Sequence, residues 1–301
     1  MFSIYTKLPP KLKEKLKILL NTSGHNQSVL NLIKAHYHAR NAKSLEKSII
    51  ELTNCFKSSN IDTIEDLTCM DFGAGYVLTD SLALYILGAK KIYSIDYTRL
   101  FRYSAFMSLI KHSDLEKIHE IAIEFCEPND LSLRLNKLKT LNKKNNLESE
   151  LNIHYIAPYD YSNNIINNEI DLIHSTSVFE HISRDAISRI LDNLALSLSE
   201  KGKIITKIHL EDHLDFQNNP FEFFSKDTDY IYEENFDSRG NRLLLGDWLN
   251  IFNNSTLLKT QLTYKNIRTE LSVPKDLNKK YSNIKYEDLY ISNAWFLSKK
   301  K

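Results

Sequence analysis

Two groups of residues in this chain have the types and spacing to do chemistry. The first is the run Asp71-Phe72-Gly73-Ala74-Gly75, with Asp96 closing the next apolar segment. Glycines at 73 and 75 let the backbone come close to a ligand, which a Cβ would obstruct. A carboxylate such as Asp96 accepts two hydrogen bonds from a ribose diol. A dinucleotide fingerprint wants a third glycine where Leu78 stands, and Asp71 would repel a pyrophosphate. A nucleoside ligand carrying positive charge fits better. The second group is histidine with carboxylate: Glu180 and His181, then His209, Asp212, His213 and Asp215. Imidazole is the usual general base near neutral pH. The same side chains are of the kinds that hold divalent metals, yet they follow no fixed ligand spacing, and no metal site is expected.

These residues need a frame. Short apolar runs at 67–72, 91–96, 152–156, 169–174 and 202–209 read as strands alternating with helices, the pattern of a doubly wound parallel sheet. Two closing strands follow near 257–264 and 294–299. Residues 1–64 read as a helical cap from apolar spacing of three to four, in KLKEKLKILL, SVLNLIKAHYHA and NAKSLEKSIIELTNCF. The expected core unit is 65–301, with insertions at about 112–150 and 211–246. The first insertion is rich in lysine and asparagine and reads as an exposed helical segment. The second is rich in aromatics, with Phe221, Phe223, Phe224, Tyr230 and Tyr232. These side chains would form either stacking walls for an acceptor or the insertion's own small core. Arg239 and Arg242 are candidates to bind a carboxylate or phosphate.

Composition narrows the classes. With 301 residues, 42% of them hydrophobic, the chain can bury a full core. A net charge of +1 offers no global attraction for nucleic acid. Cys55, Cys69 and Cys126 fit neither a disulfide framework nor a zinc site. No apolar run approaches the roughly 18 residues of a membrane span, and the N-terminus lacks a signal-peptide pattern. A cytoplasmic enzyme is expected, with KLKEKLKILL an ordinary capping helix rather than a membrane-surface one.

Several separated motifs, in order, resemble the class I S-adenosylmethionine-dependent methyltransferases over roughly residues 65–300. MDFGAG is similar to their first motif, with Val77 where a further glycine is common, and YSIDY to their second. APYDYSN resembles the segment after their third strand, DLIHSTSVFEHIS that after the fourth in the type 11 or 12 group, and KGKIITKIHL their fifth strand. AWFLSKK looks like their seventh, antiparallel strand. The resemblance implies a Rossmann-like sheet of seven mostly parallel strands, S-adenosyl-L-methionine as cofactor and methyl transfer as activity. It places Asp71, Gly73, Ala74, Gly75, Asp96, Tyr97, Asp160, Tyr161 and Ser175 around the cofactor, with Asp96 on the ribose and Asp160 facing the adenine amino group.

Methyl transfer is an in-line displacement, so positioning supplies much of the catalysis. A hydroxyl acceptor must also lose a proton, and His209, His181 and His213 are the candidate bases, His209 first because it ends strand five. The layout of KIHLEDHLDF, NPFEFF and NRLLLGDWLNIF resembles methyltransferases of glycan and surface-polysaccharide assembly, which implies a sugar hydroxyl as acceptor. A metal-dependent sugar O-methyltransferase, an N-methyltransferase of a small metabolite and, more distantly, a nicotinamide dehydrogenase are the alternatives. His36, Tyr37 and His38 are either part of a lid or plain helix-surface residues. A side chain at Gly73 is expected to block the cofactor without disturbing the fold.

Overall fold

The computed structural model describes residues 44–301 apart from 143–145, 168–169, 212–218 and 226–239, together with Leu32, Ala35, His36 and Ala39. The two leading helices expected in 1–40 therefore fall largely outside the described residues, as do Tyr37, His38, Asp212, His213, Asp215, Tyr230, Tyr232 and Arg239. The third expected helix is α1 (Leu45–Ser58). Ser44 caps it by accepting from the Lys47 N–H at 3.3 Å, and Leu45, Ile49, Leu52 and Phe56 form its buried stripe.

Strands and helices then alternate: β1 (Thr68–Phe72), α2 (Thr79–Ile86), β2 (Lys91–Ile95) and α3 (Tyr103–His112). The first insertion supplies α4 (Leu115–Ala122), α5 (Pro128–Thr140) and α6 (Leu147–Leu151) before β3 (Ile153–Ile156). After β4 (Ile170–Thr176) come α7 (Arg184–Ser197) and β5 (Leu198–His209), then α8 (Leu245–Asn254), β6 (Leu258–Ile267) and β7 (Ile291–Lys300). The insertion is less exposed than its composition suggests. Leu131, Leu135 and Leu138 of α5 are buried while its lysines face outward. A fully buried leucine contributes about 1.5–3 kcal/mol, enough to seat the helix.

All seven strands join one sheet in the order β3-β2-β1-β4-β5-β7-β6. β1 to β5 pair in parallel, and β7 runs antiparallel to both β5 and β6. This is the doubly wound, mostly parallel α/β sheet expected, including the antiparallel seventh strand. Successive residues of a strand face opposite sides, and the two cores show it. Cys69, Leu172, Ile205 and Leu297 pack on the side of α1 and α2. Met70, Ile173, Ile204 and Phe296 pack on the side of α7 and α8. The chain winds outward from β1 through β2 to β3, then returns to place β4 on the other flank of β1. The order reverses there, and such a reversal opens a crevice at the carboxyl ends of the strands.

A third, smaller core lies above that edge. Phe221, Phe223 and Phe224 pack with Tyr281, Leu289 and Tyr290, so the 221–224 turn and the long β6–β7 connection form one body. The Asn278 N–H donates to the Phe224 carbonyl at 2.8 Å, and the Phe224 and Tyr281 rings meet edge to face at 5.0 Å. Among the described residues, no helix is long and apolar enough to cross a membrane.

Candidate functional site

The glycine loop leaves β1 at the crevice. Gly73 has φ +92° and Gly75 φ +68°, both left-handed conformations that favour glycine. The Gly73 and Ala74 N–H groups donate to the Ile95 carbonyl at 2.9 and 3.0 Å, fastening the loop to the end of β2. The Gly75 N–H donates to Asp96 Oδ2 at 2.8 Å, and the Thr98 N–H to Oδ1 at 2.9 Å. Asp96 also ties in the third strand: its N–H donates to the Ile156 carbonyl and its own carbonyl accepts from the Tyr159 N–H at 2.9 Å. Three strand ends therefore converge on one half-buried acid. Burial pushes its carboxyl above the ordinary aspartate range, and the Thr98 and Gly75 hydrogen bonds oppose that rise.

The two glycines do different work, which corrects the expectation for Gly73. A Cβ at Gly73 would overlap the Val178 side chain, which comes from the segment after β4. Gly73 is required for the loop to pack, and a side chain there strains the fold before any ligand arrives. Among the described residues, a Cβ at Gly75 would meet only the Gly73 carbonyl oxygen, 3.9 Å away. The space over Gly75 is open among those residues, and this is the candidate cradle. Leu78, where a dinucleotide site would carry its third glycine, is buried and itself left-handed at φ +51°.

Asp71 lies beneath the loop with 2% of its surface exposed. Ser81, in α2, donates to its Oδ2 at 2.5 Å and shares a 2.7 Å hydrogen bond with Ser94 of β2. Asp71, Asp80 and His174 offer ligand atoms within 4.8 Å of one another, the group among the described residues with potential metal-ligand spacing. Hydroxyls already serve each of the three: Ser81 on Asp71, Ser48 on Asp80 at 2.5 Å and Thr176 on His174 at 3.0 Å.

Other expected cofactor residues divide. Tyr97 follows Asp96 and is 74% exposed, at the crevice rim. Asp160 closes its own turn: its Oδ1 accepts from the Ser162 N–H and hydroxyl at 2.9 and 2.7 Å, its Oδ2 from Asn163 at 2.6 Å. The Ser162 hydroxyl above all holds its carboxyl below the ordinary range. Tyr161 is a core residue. It is buried, stacks edge-on against Phe72 at 5.5 Å, and shares a 2.7 Å hydrogen bond with Ser197. Burial pushes its phenol up to about 12. Ser175 is also fully buried, in register with Thr206 of β5. Tyr161 is enclosed by the core on the α7–α8 side of the sheet rather than presented to a ligand.

On the acceptor side, His181 sits exposed in the short turn Phe179–His181, and His209 ends β5 half-buried. Glu180 is buried and accepts from the His209 backbone N–H at 3.3 Å, so the two segments do converge. Among the described residues, Glu211 engages the His209 ring, with Nε2 and Oε2 2.5 Å apart. Arg268, just beyond β6, donates to the other Glu211 oxygen at 2.7 Å and to Glu270 at 2.9 Å. Glu211 was legible in principle, because two residues beyond a strand-ending histidine lies on the same face. Arg268 is remote in sequence and carried no such signal. Of the two alternatives for Phe221, Phe223 and Phe224, they form a small core, each no more than 2% exposed, completed by residues of the β6–β7 connection. Arg242 is buried as well, its guanidinium 4.9 Å over the Phe223 ring.

No family model matches the sequence, and no curated protein matches it. Solved structures do resemble it. An S-adenosylmethionine-dependent methyltransferase from Mesorhizobium loti aligns with 84% of this chain and 98% of its own at 9% identity, TM-score 0.45. The YcgJ protein from Bacillus subtilis aligns with 84% and 98% at 14% identity, TM-score 0.44. A TehB-like S-adenosylmethionine-dependent methyltransferase from Corynebacterium glutamicum aligns with 82% and 87% at 12% identity, TM-score 0.42. Similarity at this level carries no assignment of activity.

Proposed function

We propose that this protein is an S-adenosylmethionine-dependent methyltransferase acting on a hydroxyl group, with His209 as the base. The observation that carries the reading is the Asp96 carboxylate at the end of β2, fixed by the Thr98 N–H and by the Gly75 N–H of the loop that leaves β1 beside the strand-order reversal. Each oxygen accepts one backbone hydrogen bond and retains acceptor capacity for a ribose hydroxyl. The open cradle over Gly75 suits a ligand lying against the loop. The buried Asp71 and the missing third glycine favour a cationic nucleoside over a dinucleotide.

Bound S-adenosylmethionine would supply an electrophilic methyl group on a sulfonium. The chain's own part is to hold the nucleoside at Asp96 and Gly75, keep the acceptor in line with the methyl carbon, and remove the acceptor proton. His209 suits the last task, since it ends β5 at the carboxyl edge of the sheet and Glu211 contacts its ring. A sugar or glycan intermediate as the acceptor rests on the sequence resemblance of the segment after β5.

Calorimetric titration with S-adenosylhomocysteine and, separately, NAD tests the cofactor class. Binding of the first with no response to the second supports the reading, and the reverse overturns it. Tritiated S-adenosylmethionine incubated with nucleotide sugars and free sugars then tests the acceptor. Label transferred to amines but never to these hydroxyls would overturn the hydroxyl assignment.

A further inference from the structure

We propose that Lys203, Lys299 and Lys259, aligned across β5, β7 and β6, form a binding site for a short chain of phosphates. The register sets them directly opposite one another: Lys203 pairs with Lys299, and Lys299 with Lys259. Alternate residues of a strand share a face. Ile205 and Leu297, the next residues of that face, pack on the side of α1 and α2, so the three lysines stand on that side too. Among the described residues, none of the three has an ion pair or a side-chain hydrogen bond. Lys57, Lys137 and Lys207, by contrast, are matched to Glu124, Glu150 and Glu51. Lys203 and His209 stand at opposite ends of the paired part of β5, about 20 Å apart at the rise of a strand. A ligand on the row therefore leaves the crevice open and needs nothing from the methyltransferase reading.

Like charges directly opposite on neighbouring strands destabilise a sheet. Lysine on an edge strand guards against edge-to-edge pairing, and that accounts for Lys259 on β6. It does not account for Lys203 and Lys299, because β5 and β7 are interior strands. Lys203 is also half-buried. Burial, and then Lys299, hold its ammonium below the ordinary lysine range, while the exposed Asp62 works the other way. Each ammonium donates three hydrogen bonds and accepts none, so the ligand is an acceptor with several negative charges. Neighbouring strands lie about 4.8 Å apart, so the row runs for about 10 Å. A single phosphate does not span that length, and a chain of two or three does. Tyr264, an exposed aromatic of the same face, is in register with Trp295, about 14 Å along β7 from Lys299. The row thus offers charge without the adjoining stacking platform that single-stranded nucleic acid uses. A second copy of the chain docked by twofold symmetry would set lysines against lysines.

Calorimetry of the full chain at low ionic strength, with sodium tripolyphosphate and separately orthophosphate, tests the site. Tighter binding of tripolyphosphate, with amide NMR shifts at residues 203–205, 257–261 and 297–300, supports it. Equal affinity for the two anions, or shifts confined to the 73–77 and 96–98 loops, overturns it. Lys299→Gln should weaken tripolyphosphate binding about fivefold, the upper end for one exposed ion pair. Lys111→Gln, on the exposed side of α3, makes the same change in net charge and should leave affinity unchanged; equal losses in the two variants overturn the row. Without the anion, Lys299→Gln should raise the urea midpoint, because it relieves both like-charge contacts. Tripolyphosphate should raise the midpoint of the native protein more than that of the variant. A lowered midpoint in folded Lys299→Gln overturns the repulsion on which the site rests, and should that variant fail to fold, Lys259→Gln at the sheet edge gives the same reading. Binding of phosphatidylglycerol vesicles or a polyuridine strand, with no response to tripolyphosphate, would also overturn the proposal.

Discussion

Substituting the two loop glycines separately should divide folding from binding. At Gly73 the backbone is left-handed, φ +92°, which costs an L-residue about 1–2 kcal/mol. The added methyl also enters space that Val178 fills, and overpacking of this kind costs about 1–3 kcal/mol. Gly73→Ala should therefore lose about 2–5 kcal/mol of stability by urea unfolding, the sum of those two effects. Trimming the neighbour should return the steric part. In a double-mutant cycle, Gly73→Ala/Val178→Ala should be about 1–3 kcal/mol less destabilised than the two single variants added together. Among the described residues, Gly75→Ala meets no atom nearer than 3.9 Å, so the strain of φ +68° is its cost, about 1–2 kcal/mol. Its methyl projects into the open cradle, and affinity for S-adenosylhomocysteine should collapse in a protein that still folds. A Gly73→Ala variant as stable as native, with no coupling to Val178, would refute the packing argument. A Gly75→Ala variant that binds normally would show that the ligand does not lie over this loop.

Asp96→Ala removes an acceptor with charge and should weaken S-adenosylhomocysteine binding by about 2–3 kcal/mol, or about 30- to 150-fold by calorimetry; unchanged affinity in folded protein would sink the ribose assignment. Tyr161→Phe deletes the buried hydrogen bond to Ser197 and should cost about 0.5–1.5 kcal/mol of stability while leaving cofactor affinity intact, whereas lost affinity would return Tyr161 to the site. Asp160 has its carboxyl held low in the fold by Ser162, so its stabilising contribution is fully present above about pH 4 and is lost as the pH falls through the lower folded value. Asp160→Asn should accordingly flatten the acid limb of stability against pH, and an unchanged limb would show that the turn does not depend on the charge. Chelation by EDTA should leave methyl transfer unchanged, and activity lost and restored by magnesium would favour the metal-dependent alternative.

Local pattern determined a good deal about this chain. The run DFGAG between an apolar strand and a helix, Asp96 at the next strand end, and His209 at the fifth were all legible, because glycine conformation and strand periodicity act over a few residues. The alternation of short apolar runs with helical stretches was enough to anticipate the doubly wound sheet. Tertiary structure decided what local pattern could not reach. Gly73 reads as a ligand glycine in sequence, yet it is Val178, brought beside it by the pairing of β1 with β4, that forbids a side chain there. Tyr161 lies in a segment that approaches the crevice, but its packing against Phe72 and Ser197 of α7 turned it inward. Phe221, Phe223 and Phe224 became a core because residues 271–290, from beyond β6, arrive to bury them. Arg268 reaches Glu211 for the same reason: antiparallel pairing with β7 returns β6 to the end of β5. A carboxylate's partner across the fold depends on strand order, and strand order is a property of the whole packed sheet.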